Sequence, residues 1–324
     1  MSRPREDGIV IGTLEPGPRN SIADVGITVG HVTVERTGVT AVVPPSLPLP
    51  AGTAVLNGAG ELTGSLEIRE WGLLETPVYL TATHAVGRVY DGAVSVAMAA
   101  DPRVGVDEVV IPVVGECDDS WLSDARVAHV QPGDVARAVA DAAADFEQGA
   151  VGAGAGMSCF DWKGGIGSSS RRAGDYIVGV LLLTNFGTRK QLRVDGVPIG
   201  QLLDEQPDAA PDPGGSCIAV VATDAPLTPP QLERLARRAG LGLARAGSVA
   251  HHGSGEIFVA FAASDGRSFA DRDLNPLFQA AVDATEEAVL CSLWAAVDTV
   301  GREGRLVRGL PREKVLELYR GRGR

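Results

Sequence analysis

Apolar segments without a polar face constrain the fold of this chain more than any other feature of its sequence. A strand with one solvent-exposed face alternates apolar and polar residues. A strand that is apolar on both faces belongs to a sheet that is covered on both sides. Several short segments between glycine-rich turns are of the second kind. Strands are predicted at residues 9–11, 54–56, 78–82, 109–114, 176–184, 217–222 and 257–262. The chain therefore requires stacked layers.

Helical periodicity appears in other stretches. It predicts helices over residues 133–148, 228–246, 276–300 and 312–320. The second of these opens with Pro229 and Pro230, and proline is favoured in the first turn of a helix. The helices follow the strands in blocks rather than in strict alternation, which favours packed sheets flanked by helices over a doubly wound parallel sheet. We predict an α/β sandwich of layers.

Size and charge narrow the range of functions. The chain has 324 residues, of which 44% are hydrophobic, enough for one large domain or two small ones with a substantial core. Its formal net charge of −12 disfavours binding to nucleic acid or to anionic membranes. Residues 1–7 do not lead into a signal-peptide core, and no apolar run is long enough to span a bilayer. We therefore expect a cytoplasmic protein without nucleic-acid or membrane partners.

The cysteines and histidines lack the spacing of metal ligands. The four cysteines lie far apart without a C-x-x-C pair, and no two of the five histidines have the spacing of ligands on one helix face. We expect reduced, mostly buried thiols, and neither a metal nor an organic cofactor. The residues concerned are Cys117, Cys159, Cys217, Cys291, His31, His84, His129, His251 and His252.

Ser216 stands at the start of an apolar strand, directly after a polar, proline-containing linker at residues 204–215. An ordinary turn serine has the same local composition. A second interpretation applies if the Gly215–Ser216 peptide bond is cleaved. The new α-amine, with an unperturbed pKa of about 7.7–8.0, then becomes a general base on the same residue as the hydroxyl nucleophile. No separate histidine is required, so Ser216 is a candidate N-terminal nucleophile.

Polar groups at the ends of other predicted strands can assist such a nucleophile. Ser254 and Glu256 are two residues apart in an extended segment, so both side chains lie on one face and can hold an amine. Asn185 follows the strand at 176–184, where its carboxamide can donate to an oxyanion. Glu116 follows the strand at 109–114 and can receive a cationic amine. Each residue also fits a simpler interpretation, as part of a turn or of a solvated acidic loop.

Two rival sites have weaker sequence support. Lys163 and Arg171 flank glycines and could cradle a phosphate, but Lys163 precedes its glycines, the reverse of the order in a phosphate-binding loop. A Ser-His-Asp hydrolase is disfavoured because no G-x-S-x-G segment joins a strand to a helix. We therefore interpret His251 and His252 as structural residues.

Segments along nearly the whole chain share a pattern with one group of hydrolases. They are residues 16–25, 29–31, 56–61, 83–87, 163–171, 216, 221–227 and 254–258. With these segments the sequence resembles the family of beta-peptidyl aminopeptidases and L-aminopeptidase/D-esterase/amidases, which are relatives in fold of ornithine acetyltransferase. The resemblance implies an α/β fold of the self-cleaving N-terminal-nucleophile type, a sandwich of four layers in the order αββα.

The resemblance also implies self-processing. The precursor is expected to be one catalytic domain that is cut between Gly215 and Ser216, giving an α chain of residues 1–215 and a β chain of residues 216–324. The two chains are expected to stay together as a heterodimer, and these heterodimers to form a homotetramer. The alanine-rich stretch at 133–148 is one candidate for an interface between subunits.

In this family pattern, Ser216 is the nucleophile and its own α-amine is the base. Ser254 and Glu256 fall at the positions that assist proton transfer, Asn185 at that of an oxyanion donor, and Glu116 at that of a group that recognises the free amine of the substrate. Many members carry an aromatic hydroxyl shortly after the equivalent of Glu116. Residues 117–121 contain no tyrosine, which leaves the second oxyanion donor unassigned.

These observations predict a serine-type aminopeptidase or amidase. It would remove the N-terminal residue from peptides, or hydrolyse amino-acid amides or esters, through an acyl-enzyme on Ser216. The sequence leaves open whether the residue removed is an L-, a D- or a β-amino acid. Two alternatives remain at this point: an acyltransferase of the ornithine acetyltransferase type, and a non-catalytic small-molecule binding protein on the same fold.

Overall fold

The computed structural model describes residues 3–203, 215–264 and 269–321. Except for Gly215, the linker predicted at residues 204–215 lies outside the described residues. The strands are β1 (Thr28–Val34), β2 (Thr37–Val43), β3 (Leu49–Gly58), β4 (Leu73–Leu74), β5 (Val78–Ala82), β6 (Val113–Cys117), β7 (Ser158–Cys159), β8 (Trp162–Lys163), β9 (Ile166–Ala173), β10 (Tyr176–Asn185), β11 (Gly215–Thr223), β12 (Ser254–Ala262), β13 (Thr299–Val300) and β14 (Leu306–Val307). The α-helices are α1 (Ser65–Trp71), α2 (Val86–Ala100), α3 (Gly133–Ala140), α4 (Ile199–Leu202), α5 (Pro229–Ala246), α6 (Leu274–Ala295) and α7 (Arg312–Arg320).

Two sheets form the centre of the molecule. The larger has six strands in the order β4-β3-β12-β11-β10-β9, and the smaller has four in the order β1-β2-β5-β6. Helices α5 and α6 pack on the larger sheet, helices α2 and α3 pack on the smaller one, and the two sheets contact each other through β6, β10 and β11. The layers therefore follow the order αββα, as predicted.

Three apolar clusters fill the spaces between these layers, which explains why the strands lack a polar face. In β5, Tyr79 faces the cluster under α2 and α3, whereas Leu80 faces the cluster between the sheets. In β11, Val220 faces the space between the sheets and Val221 faces α5 and α6. Successive side chains of one strand thus enter two different cores.

Local sequence fixes the boundaries of α5. Thr228 precedes the helix and forms a capping box with Gln231, while Pro229 and Pro230 occupy the first turn. The helix ends at Gly247, whose φ of 114° is open to glycine and strained for other residues. The helix predicted at 228–246 is therefore confirmed, and so is the one at 312–320.

The helix predicted at residues 133–148 is wrong beyond Ala140. After α3, the chain crosses the edge of the smaller sheet, where Ala143 and Val29 exchange backbone hydrogen bonds of 2.9 and 3.1 Å. This pairing satisfies an edge strand that would otherwise be left open. Alanine-rich composition favours a helix, but the tertiary contact with β1 ends it.

Other predicted segments are displaced. The strand expected at 109–114 begins only at Val113, because Pro112 has no N–H to donate and Val109 is exposed. In the segment at 9–11, Ile9 and Ile11 are buried and Val10 is exposed, and the segment belongs to no strand. The helix expected at 276–300 ends at Ala295, and Thr299–Val300 pairs with β14 instead.

Sequence interpretation also missed elements of the smaller sheet. Strands β1 and β2 form an antiparallel hairpin that turns at Glu35 and Arg36. Their β-branched residues, and the apolar spacing of Val86, Val89 and Ala93 in α2, are signals that could have revealed them.

Strand register places the residues around the predicted cleavage position. Strand β11 runs antiparallel to β10, with Ser216 opposite Asn185. It runs parallel to β12, with Gly215 opposite Ser254, Ser216 opposite Gly255 and Cys217 opposite Glu256. Three separate stretches of sequence therefore meet at one end of the larger sheet.

Candidate active site

A cleft of about 580 Å³ opens at this end of the larger sheet. Its walls come from the ends of β6, β10 and β11 and from loops of both sheets. Of the predicted site residues, Ser216, Asn185 and Glu116 line the cleft directly, whereas Ser254 and Glu256 are buried in the adjacent strand β12. The volume suits a small organic molecule or a short peptide.

Ser216 is held against the bond that precedes it. Its side chain is buried within the strand end, and its Oγ donates a hydrogen bond of 2.6 Å to the carbonyl oxygen of Gly215. A Cβ on Gly215 would lie 2.5 Å from the carbonyl oxygen of Asn185. Only glycine fits between the two strands without a shift, so the residue before Ser216 is fixed by packing.

The carboxamide of Asn185 is fixed in one orientation. Its Oδ1 accepts a hydrogen bond of 2.9 Å from the backbone N–H of Ser158, and its Nδ2 donates one of 2.9 Å to the carbonyl oxygen of Asp118. A carboxamide Nδ2 carries two hydrogens, so one donor is left for the cleft. A fixed donor beside a nucleophile is the arrangement that stabilises an oxyanion.

Ser254 and Glu256 form a buried pair. The hydroxyl of Ser254 donates to Oε1 of Glu256, and both side chains are almost fully buried. Among the described residues, the other carboxylate oxygen, Oε2, is buried without a hydrogen-bond partner. Burial raises the pKa of Glu256, while the Ser254 hydrogen bond opposes this rise. The pair flanks the Gly215–Ser216 bond in register and leaves one acceptor unused.

Glu116 lies inside β6 rather than in the loop after it, and only 3% of its surface is exposed. The interpretation as a solvated acidic loop is therefore wrong for this residue. Its Oε1 accepts from the backbone N–H of Glu61 at 2.9 Å, and its Oε2 accepts from the hydroxyl of Thr83. Burial raises its pKa, and these hydrogen bonds oppose the rise. The result is a fixed carboxylate at the wall of the cleft.

The rival interpretation of Lys163 and Arg171 as a phosphate cradle is wrong. The side chains of Lys163 and Arg171 are both fully buried. The Lys163 ammonium donates to the carbonyl oxygens of Gly154, Met157 and Gly164 at 2.8–3.0 Å. Arg171 forms an ion pair with the equally buried Glu287. Both cations hold loops and strands together and cannot reach a phosphate in solution.

His251 and His252 do not line the cleft. The ring Nε2 of His251 lies 3.0 Å from Nε2 of Gln191. The carbonyl oxygen of His251 accepts a hydrogen bond of 2.9 Å from the Asn57 carboxamide. These contacts hold the segment before β12, in agreement with a structural role. The four cysteines are all buried and free of disulfides.

Sequence reasoning missed several residues of the cleft wall. Trp121, Arg302 and Arg305 line it together with Ser158. Trp121 and Arg305 are far apart in sequence, so no local motif links them. The one sequence signal was that residues 117–121, directly after Glu116, depart from the family pattern by containing no tyrosine.

Within the described part of the chain, no helix combines the length and the apolarity needed to cross a membrane. Across residues 3–203, 215–264 and 269–321, no group of three histidine, cysteine or acidic side chains is arranged to hold a metal ion.

Comparison with known proteins matches this geometry to one family. The family model described as Peptidase family S58 matches residues 20–307. The beta-peptidyl aminopeptidase BapA of Sphingosinicella microcystinivorans is 38% identical over 358 aligned positions, which cover 94% of this chain and 90% of that protein.

Solved structures give the same result for the fold. A Burkholderia sp. beta-aminopeptidase is 39% identical, with a TM-score of 0.92 over 100% of this chain and 99% of the other. The L-aminopeptidase D-Ala-esterase/amidase of Ochrobactrum anthropi, described as a variant of the Ntn-hydrolase fold, is 33% identical, with a TM-score of 0.92 and the same coverage. The resemblance predicted from the sequence is confirmed, and none of these relatives supports the acyltransferase alternative. The chain belongs to peptidase family S58 and is a peptide-bond hydrolase of the aminopeptidase type.

Proposed function

We propose that this aminopeptidase acts only after its chain is cleaved between Gly215 and Ser216. The observation that carries the proposal is the unpartnered, buried Oε2 of Glu256 beside the start of β11. A buried carboxylate oxygen without a donor is costly. The α-amine released on Ser216 would supply the missing positive donor, either directly or through the hydroxyl of Ser254.

Cleavage would proceed by an N-to-O acyl shift. The Oγ of Ser216 attacks the carbonyl carbon of Gly215, its proton passes to the leaving amide nitrogen, and the peptide bond becomes an ester. Water then hydrolyses the ester, which gives a carboxylate on Gly215 and a free α-amine on Ser216. The packing that admits only glycine at position 215 supports this step, because it keeps the carbonyl group next to Oγ.

Turnover would use the same atoms. The Ser216 α-amine accepts the hydroxyl proton while Oγ attacks the scissile carbonyl, and Nδ2 of Asn185 donates to the oxyanion. The protonated amine then gives its proton to the leaving amine, and water hydrolyses the acyl-enzyme. Ser254 and Glu256 position the amine and stabilise its charged form. Glu116 binds the free ammonium of the substrate, which directs cleavage to the first residue.

Residues 1–215 and 216–324 would remain one catalytic domain. Strands β10 and β11 fall in different chains after cleavage but pair along their length and share buried side chains on both faces. Substrates would be short peptides or amino-acid amides and esters. The cytoplasmic location and the homotetramer of heterodimers stay predictions from the sequence and the resemblance, and the helix candidate for an interface is now limited to α3.

An intact mass spectrum of the purified protein tests the proposal. We expect two chains, the smaller beginning at Ser216, and hydrolysis of an amino-acid p-nitroanilide by the cleaved protein. Ser216→Ala should remain a single chain without activity, whereas the exposed control Ser95→Ala should be cleaved and active. A single uncut wild-type chain without activity, or a fully active Ser216→Ala protein, would contradict the mechanism. Release of product faster with an added amine acceptor than with water alone would indicate acyl transfer.

A further inference from the structure

The cleft is lined by side chains of opposite charge. Glu116 comes from β6, and Arg302 and Arg305 come from the segment between β13 and β14. About a quarter of each arginine side chain is exposed, 24% for Arg302 and 28% for Arg305. A molecule that fills the cleft can therefore contact a carboxylate and two guanidinium groups at once.

The position of the arginines is built into the fold. The guanidinium of Arg305 lies over the ring of Trp121, 4.3 Å from its centroid, and donates to the Trp121 carbonyl oxygen at 3.3 Å. The backbone N–H of Arg302 donates to the carbonyl oxygen of Leu122 at 2.8 Å. A Cβ on Gly301 would lie 2.4 Å from that same oxygen, so close contact of the two loops requires glycine there. These contacts pre-organise both cations.

The existing ionic partners of the two arginines are exchangeable. Both guanidinium groups contact Glu303, at 3.0 and 2.8 Å, but 57% of the Glu303 side chain is exposed. The contact between Arg302 and Asp124 is longer, at 3.8 Å. Exposed ion pairs of this kind are weak because water and salt compete for both groups. A carboxylate inside the cleft would be better shielded and could replace them.

Among the described residues, the two aspartates of the cleft form no ion pair with these cations. The carboxylate of Asp118 accepts from the N–H and the hydroxyl of Ser120, each at 2.9 Å. The carboxylate of Asp161 accepts from the backbone N–H of Arg189 at 2.8 Å. Each carboxylate thus has a hydrogen-bond donor other than the two arginines.

We propose that Arg302 and Arg305 bind a carboxylate of the substrate, so that the enzyme prefers short peptides with a free carboxylate to the corresponding amides. The inference rests on the proposed function, in which Glu116 holds the ammonium end of the same molecule. A planar guanidinium matches a carboxylate through two parallel hydrogen bonds. The carboxylate can be the C-terminus of the peptide or an acidic side chain in the leaving residue, and the substrates of the test separate these sources.

The test compares kcat/KM for three peptides: a dipeptide ending in alanine with a free carboxylate, its C-terminal amide, and a dipeptide amide ending in glutamate. Each is made with L-alanine and with β-alanine at the N-terminus. We expect the free acid to exceed its amide by about tenfold or more, the scale of one charge-assisted hydrogen bond. A glutamyl amide as good as the free acid would assign the subsite to a side-chain carboxylate.

Arg305→Gln and Arg302→Gln keep much of the side-chain volume and remove the charge. We expect each variant to raise KM for the free acid and to bring the ratio of acid to amide to within about twofold, while Arg305→Lys retains part of the preference. The exposed Arg103→Ala, which pairs with Asp101 outside the cleft, is the matched control and should keep the wild-type ratio. An intact mass spectrum of each variant verifies that its chain is cleaved, and a thermal unfolding curve verifies that it is folded.

The outcomes distinguish failure of the carboxylate subsite from failure of the proposed aminopeptidase function on which it rests. Equal hydrolysis of acid and amide by wild-type enzyme would overturn the subsite and leave the aminopeptidase function intact. An unchanged preference in both glutamine variants would do the same. A cleaved wild-type protein that hydrolyses none of the peptides would overturn both.

Discussion

The two walls of the cleft are held in place by different means. On the nucleophile wall, backbone pairing of β10, β11 and β12 fixes the positions of Asn185, Ser216 and Glu256. On the recognition wall, contacts of individual side chains hold the Glu116 carboxylate and the Arg305 guanidinium. Strand register changes little when a side chain changes, whereas a loop contact depends on each side chain that makes it. The groups that we propose to react therefore stand on the rigid part of the fold, and those that we propose to select the substrate stand on the part that can vary.

The largest effect on activity is expected from a substitution on the nucleophile wall, at Asn185. Asn185→Ala removes the proposed oxyanion donor and should lower kcat, measured per mole of cleaved chain, by about 10²–10³-fold with little change in KM. Steady-state kinetics on a p-nitroanilide substrate measure this. Retention of more than a tenth of the wild-type kcat would show that another group stabilises the oxyanion.

A smaller but still large effect is expected from the residue before the nucleophile. Gly215→Ala places a Cβ 2.5 Å from the carbonyl oxygen of Asn185 and must push the two strands apart. We expect cleavage to slow by about 100-fold, because a displacement of about 1 Å is enough to misalign reacting atoms.

The matched control for this substitution is Gly133→Ala, since an added Cβ at Gly133 meets no atom within 4 Å. That variant should be cleaved at the wild-type rate in a time course followed by mass spectrometry. Cleavage of Gly215→Ala at the same rate would mean that strand spacing does not control processing.

On the recognition wall, Glu116→Gln should act on binding rather than on chemistry. It removes the charge that we assign to the substrate ammonium, so KM should rise about tenfold while kcat changes less. Because burial raises the pKa of Glu116, KM of the wild-type enzyme should also rise as the pH falls through that pKa, and KM of the variant should not. Equal pH profiles of KM for both proteins would remove Glu116 from the binding site.

The smallest expected effect is a change in the pH dependence of stability when Asp119, near the recognition wall, is replaced. Burial raises the pKa of Asp119 to about 7, and its Oδ2 has no hydrogen-bond partner among the described residues. The folded state therefore holds this proton more tightly than the unfolded state. The resulting stability is present at low pH and lost as the pH rises through about 7.

Asp119→Asn cannot ionise and should not show this loss. Relative to the wild type, its Tm should be higher by a few degrees at pH 8.5 than at pH 5.5, on a scale of about 2–4 °C per kcal/mol for a large domain. Scanning calorimetry at both pH values measures the difference. The same difference in Tm at both pH values would show that Asp119 does not titrate in this range.

The same contrast explains which features could be predicted from the sequence. Strand β5 and helix α7 have the predicted boundaries, because their apolar spacing agrees with the cores they enter. Helix α3 is shorter than predicted because Ala143 pairs with Val29, a contact that the composition of residues 133–148 cannot show. The sequence could point to Ser216, Ser254 and Glu256 because they stand near strand starts with recognisable neighbours, and their catalytic roles stay predictions. The recognition wall was found only at Glu116.

The sequence by itself indicated a layered α/β fold and the candidate nucleophile, since both depend on patterns within a few residues of one another, and the order αββα was implied by the resemblance to the family. Tertiary structure decided the rest. It brought Trp121 and Arg305 into one contact, buried Lys163 away from any phosphate, and left one oxygen of Glu256 without a donor beside Ser216. These properties depend on distances between segments that are remote in the chain, and such distances are set by the packing of whole layers.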